Sequence, residues 1–279
     1  CRIGNGNGNH IYIETEKNIT FNLNGHVITA YNTIQIEGTF NIIDTSDRKS
    51  GEYIASNEGR YYSQTFYNYG GYTNLKGGTY YTGGELLNNN NETGRVTFDN
   101  IIINISNKDD TNKNIYALHN FGYAEVTNTK INAESYNGGY IIYNQKGEEM
   151  SNLKNVDIKV ESHCSSTIHI IWGSSSNIEN VNVDVKGEMS YVFVTHGSGI
   201  TETNIKNMNI NIDAQPSTSG DIYIYGIYDI KSTVTIENLN MDIKVPGASG
   251  IWGLSAAHLR YNGGHINIEE EIAGTLYGI

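Results

Sequence analysis

The stretch Ser176-Asn-Ile-Glu-Asn-Val-Asn-Val-Asp-Val-Lys186 decides the fold. Val181, Val183 and Val185 alternate with polar residues, the period-two pattern of a strand that buries one face. Asn180 stands directly before them. Asn enters the left-handed backbone region more cheaply than most residues, so it marks a corner. The same sentence of residues is written again and again along the chain.

Aligned on Asn180, copies of the corner appear at Asn100, Asn128, Asn155, Asn207 and Asn238. Glycine, the other residue at ease in the left-handed region, takes the slot at Gly25, Gly51, Gly77 and Gly263. Corners recur every 23 to 31 residues, which fits fixed strands joined by loops of variable length. After each corner comes an alternating strand, such as Ile101-Ile103-Ile105 or Met208-Ile210-Ile212. A short strand precedes the corner, as in Val234-Ile236. Further upstream lies a third run, as in Tyr140-Ile-Ile-Tyr143 and Ile168-His-Ile-Ile-Trp172.

Three strands per unit of roughly 26 residues, with no helical periodicity, predict an all-β triangular coil. One coil cannot bury its apolar face alone, but a stack of about ten, some 4.8 Å apart, forms a continuous core. The corner residues and strand order resemble the right-handed parallel β-helix of pectate-lyase-like proteins, whose Asn ladder sits at such a corner. The resemblance spans nearly all of residues 1–279, which are read as a single domain. It implies a fold and, through similar β-helical microbial surface proteins, an adhesin-like role outside the cell or on its surface. Leu276-Tyr277-Gly278 repeats the pattern of Ile251-Trp252-Gly253, and Ile11-Tyr-Ile13 begins within a unit. A solenoid segment, or a subunit that stacks end to end, is therefore expected.

Composition narrows the partners. With 18 Lys and Arg against 30 Asp and Glu, the formal net charge is −12, which disfavours nucleic acid and anionic membrane. No apolar run is long enough to span a bilayer, so no membrane insertion is expected. Two cysteines do not make a disulfide framework, and Cys1 and Cys164 fall several coils apart. Neither the EF-hand loop nor the Gly-Gly-x-Gly-x-Asp calcium repeat occurs, and no cofactor is expected. His163 and Cys164 with His169 lack a metal-site spacing.

The upstream run carries the chemistry that the coil does not explain. It ends in a ring followed by Asn or Gly, at His119, Tyr143, Trp172, His196, Tyr225 and Trp252, with Tyr67 as an earlier member. Stacked coils would align these rings as one ladder, a platform for polysaccharide or for a host or cell-surface glycan if it faces outward. Runs apolar at both parities do not fix which way they face. A second aromatic patch, Tyr61, Tyr62, Phe66, Tyr67, Tyr69, Tyr72, Tyr80 and Tyr81, reads first as half-buried strand.

A catalytic constellation is not found. Thr195-His196-Gly197 is only superficially similar to the Gly-His-Gly element of polygalacturonases, and the Asp109-Asp110 pair lies far upstream of it. Asp184 and Asp242 are expected in one outward column, about 9.6 Å apart over two coils, among the lysines Lys159, Lys186 and Lys244. The expected function is a non-enzymatic surface segment. The alternatives are a polysaccharide lyase or glycosidase with an unrecognised site, and a structural spacer or filament subunit.

Overall fold

A computed structural model of the chain describes residues 2–3, 11–55, 64–109, 111–145, 151–165, 167–173, 176–197, 202–216, 221–269 and 275–277. Those residues contain no helix and wind into a parallel β-solenoid of about nine turns, each of about 27 residues. The corner spacing implied slightly more and slightly shorter turns. Each strand pairs in parallel with its equivalent one turn on, so three ladders run the length of the molecule.

The first ladder passes through Tyr116–Asn120, Gly139–Asn144, Thr167–Gly173 and Tyr191–His196. The second and third ladders are the two halves of longer strands, such as Ser151–His163 and Ser176–Met189, which bend at the Asn corner. Tyr223–Lys244 and Gly250–Glu269 run through all three faces.

Packing follows the alternation. Val181, Val183 and Val185 are at most 2 % exposed, and register places Val156, Val181, Met208 and Leu239 in one column inside the coil. Each apolar residue therefore stands on its counterpart and fills the space between turns.

The corner is stabilised by backbone and side chain together. Asn100, Asn128, Asn155, Asn180, Asn207 and Asn238 all have positive φ, between 50° and 64°. Gly25, Gly77 and Gly263 adopt the same region. From Asn155 to Asn238 each amide Nδ2 donates to the Oδ1 of the Asn one turn earlier, at 3.0 Å. At the foot of this ladder Asn128 donates to Asp99 instead.

Gly51 departs from the expected corner, because a longer turn intervenes. There Lys49, not Gly51, carries the positive φ. The turn is organised by the buried Asp44, which accepts backbone N–H groups of Gly25, Ser46 and Gly51 at 2.7–3.0 Å. Burial opposes ionisation of Asp44, yet these donors hold its carboxyl below the usual range. Gly51 is required for closeness, since a Cβ there would lie 2.5 Å from the Leu23 Cβ.

A second, buried asparagine ladder turns the corner between the first and second ladders. Asn68, Asn89, Asn120 and Asn144 are at most 3 % exposed. Asn89 donates to Asn120 and Asn120 to Asn144, at 2.6 and 2.7 Å, and the same amides close the turn through the carbonyls of Gly94 and Gly122. Gly173 continues the column with no room for a Cβ, which would meet the Asn144 carbonyl oxygen at 1.5 Å.

The exposed corner can be tested at Asn180. Asn180→Ala strains a left-handed residue and removes two ladder bonds, so chemical denaturation should show a loss of about 1–2 kcal/mol. Asn180→Gly keeps the backbone region and loses only the amide, so it should cost less.

Candidate functional site

The first ladder answers which way the ambiguous runs face. In Thr167–Gly173 both Ile170 and Ile171 point inward, at 0 % and 4 % exposure, and His169 and Trp172 flank them on the outer side, His169 itself covered to 5 % exposure by the rings stacked on it. Two successive inward residues shift the phase of the strand, so outward rings sit three positions apart. Tyr116 and His119, Tyr140 and Tyr143, and Phe193 and His196 repeat the arrangement.

Register therefore builds two aromatic columns, where the sequence pattern implied one. His119, Tyr143, Trp172 and His196 share a column that rises from Tyr12 and Gln35 through Tyr67 and Asn88 and continues to Tyr228 and Ser255. Tyr225 and Trp252 belong instead to the neighbouring column, with Tyr140, His169 and Phe193. Their resemblance to Trp172-Gly173 is one of local sequence only. The true equivalent of Gly173 in that turn is Asp229, which follows Tyr228. Tyr116, Tyr140, His169, Phe193 and Tyr228 were missed, and their legible signal is a second ring three residues from the first.

The two columns differ in orientation. In the column of Tyr140, rings lie face to face from Tyr116 through Tyr140, His169, Phe193 and Tyr225 to Trp252, with centroids 4.4–5.4 Å apart and planes within 14° of parallel. That spacing is the coil repeat, so these planes lie across the solenoid axis and cover one another's faces. Only their edges look outward. Tyr143 and Trp172, in the column of His119, stand at 78–82° to this stack and within 26° of each other. Their planes run along the axis, and stacking between turns does not consume their faces.

Polar atoms are buried among these rings. Among the described residues, Nδ1 of His169, Nε1 of Trp172 and Nδ1 of His196 have no hydrogen-bond partner. Burial pushes the His169 imidazole down to about 3, helped by the neighbouring His196, and burial lowers His196 as well. Both rings are thus uncharged aromatic members of the face at neutral pH. Further round, Asp229 is 3 % exposed, occupies the slot of the buried asparagines and fits because Gly197 beneath it has no Cβ. Its carboxyl is raised by burial, against hydrogen bonds from Ser232 and the Lys231 backbone.

The second aromatic patch divides. Phe66 and Tyr80 are fully buried and pack with Tyr53, whereas Tyr69, Tyr72 and Tyr81 are exposed. Tyr61 and Tyr62 lie outside the described residues, as do Cys1 and Asp110. His163 and His169 stand on different ladders, and His163 instead stacks on Tyr136 and meets Glu134 at 3.3 Å. They do not form one metal site.

The third ladder carries a groove of about 660 Å³, lined by Asp157, Asn182, Asp184, Asn211, Asp242 and Asn267 among others. Register places Asp184, Asn211 and Asp242 in one column, so the two carboxylates are two turns apart as expected. Each accepts an amide, from Asn211 and Asn267 respectively, at 2.9 Å. Asn182, Asn209 and Asn240 form a parallel amide ladder ending on Asp157. These carboxylates terminate side-chain ladders.

No helix among the described residues is long and apolar enough to cross a membrane. Comparison of the chain with protein-family models, with curated proteins and with solved structures finds no match in any of the three.

Titration separates the buried groups. Neutral His169 and His196 must be charged in the unfolded chain below about pH 6.5, so their contribution to stability is full above that pH and falls as pH drops. Urea unfolding should show a loss on the order of 1–2 kcal/mol between pH 7 and pH 5 from His169, and His169→Phe should flatten that dependence. Asp229 has the opposite sign, because its folded form holds the proton more tightly than the unfolded form. Its contribution declines as pH rises above about 4, so Asp229→Asn should raise the urea midpoint at pH 7 and lose that advantage in acid.

Proposed function

We propose that this chain is a non-enzymatic, glycan-binding segment of an extracellular or cell-surface protein. The observation that carries the reading is the Tyr143–Trp172 pair. Two adjacent rings, 5.8 Å apart and 26° from parallel, run along the axis on a face that is aromatic over many turns. Sugars bring apolar C–H faces to such rings, and a rigid solenoid holds them without an ordering cost on binding. The stacked column beside them fixes their positions through edge-to-face contacts. The chain resembles adhesin-like β-helical proteins in its coil and corner, which supports the surface assignment.

A glycan array followed by affinity electrophoresis tests this. Tyr143→Ala and Trp172→Ala should each weaken binding by on the order of tenfold, the scale of a lost stacking anchor. Phe193→Ala removes a ring whose faces are already covered, so it should lower stability and leave affinity within about threefold. An array with no bound glycan, or binding indifferent to both Tyr143 and Trp172, would overturn the reading.

The enzymatic alternative has its own observation, the groove holding Asp184 and Asp242. Release of oligosaccharides from a polysaccharide, abolished by Asp184→Asn or Asp242→Asn, would favour it. The expected outcome is no release by any of the three proteins, since both carboxylates already accept ladder amides.

A further inference from the structure

A polar cluster lies where the stacked column ends below Tyr116 and where Asn88 interrupts the neighbouring column between Tyr67 and His119. Glu85 stands one turn before Tyr116, and Asn88 one turn before His119. The Glu85 side chain is only 6 % exposed, yet its Oε1 lies 2.9 Å from Nδ1 of His119. A carboxylate can only accept, so Nδ1 carries a proton, and in the neutral ring Nε2 is then an acceptor. The imidazole is held in place. It lies parallel to the Tyr116 ring at 5.2 Å, with Phe121 at 5.1 Å and the Tyr143 ring edge-on at 4.8 Å. Asn88 is 5 % exposed, and its buried Oδ1 has no partner among the described residues. Its Nδ2 is 3.4 Å from the same Nδ1, whose proton is already given to Glu85.

A buried carboxylate and a buried amide oxygen without a partner are costly, and the coil does not require them. One and two turns later the same columns hold Tyr116, Tyr140 and Tyr143. Local departures from what folding prefers concentrate at functional positions.

We infer that Glu85, Asn88 and His119 form a hydroxyl-recognising subsite, and that the ligand of the aromatic face is an uncharged glycan. This rests on the glycan-binding reading above and names its ligand class. A sugar stacked on Tyr143 has His119 one turn away, and Nε2 accepts one of its hydroxyl protons. Glu85 is a positioning residue, because it acts through the imidazole. Charge selects the class. Neither column contains a Lys or Arg, from Tyr67 to Tyr228 or from Glu85 to Trp252. An acidic sugar would bring its charge beside Glu85, in a chain of formal charge −12, with no cation in the columns to meet it.

Titration calorimetry of the whole chain with neutral hexose oligomers, N-acetylhexosamine oligomers and oligogalacturonates separates the outcomes. At least one neutral series should bind, and oligogalacturonates should bind at least about tenfold more weakly. His119→Ala should weaken the neutral ligand about five- to tenfold, His119→Gln should restore part of it through its carbonyl acceptor, and Glu85→Gln should fall between. Should Glu85→Gln unfold, the more exposed His119 decides alone. Preference for oligogalacturonates, or wild-type affinity in His119→Ala while Trp172→Ala loses binding, overturns the subsite and leaves the glycan reading standing. No binding of any oligosaccharide overturns both.

Discussion

Everything in this molecule depends on parallel stacking at one repeat. Each side chain stands above its equivalent at about 4.8 Å, so every column must be a row of groups that tolerate their own kind. Few chemistries do. Aliphatic residues do so inside, where Val156, Val181, Met208 and Leu239 fill one column. Carboxamides do so outside, because each carries both a donor and an acceptor and can pass one bond along the axis. Planar rings do so by stacking. Charged groups of one sign do so only beside another partner: Glu161, Lys186, Asp213 and Lys244 alternate in sign, and where Glu134 stands directly beneath Glu161, His163 lies 3.3 and 3.7 Å from the two carboxylates.

This constraint explains the asparagine content better than the corner alone. Asn180 is needed for its positive φ, but Asn182 and Asn209 are in extended strand, where φ makes no such demand. They are there to donate to the residue below at 2.7–2.8 Å. The same rule explains why carboxylates appear at the ends of amide ladders. Asp157, Asp184 and Asp242 accept but cannot donate, so each ends a run. Their arrangement in a groove is a product of ladder chemistry, and it needs no catalytic reason.

The alternation, the corner and the absence of helix were legible because each depends on local residue type. Asn180 and Val181 to Val185 say as much alone as they do in the fold. The two-column aromatic face was not legible, because it depends on a phase shift. Ile170 and Ile171 both face inward, and nothing in the two side chains announces it; Tyr225-Gly226 then looks like Trp172-Gly173 while lying three residues out of register. The buried asparagine ladder was half legible. Asn120 and Asn144 follow a ring in the sequence, but their burial appears only once the ring is known to point outward.

The aromatic face is consequently polarised along the axis, and that polarity has a physical origin. A stack of rings ends well only where something covers the last face. Tyr116 is the first ring of its column, since Glu85 stands where the next ring would be. His119 swings parallel to Tyr116 at 5.2 Å and covers it, and the carboxylate that displaced the ring is what holds the imidazole there. The cap is thus made from the group that interrupts the column. It turns a repetitive surface, in which every turn offers the same chemistry, into one with a foot and a direction. A linear ligand on such a surface has a defined register only if one position differs from the rest, and Glu85 with His119 supplies that difference.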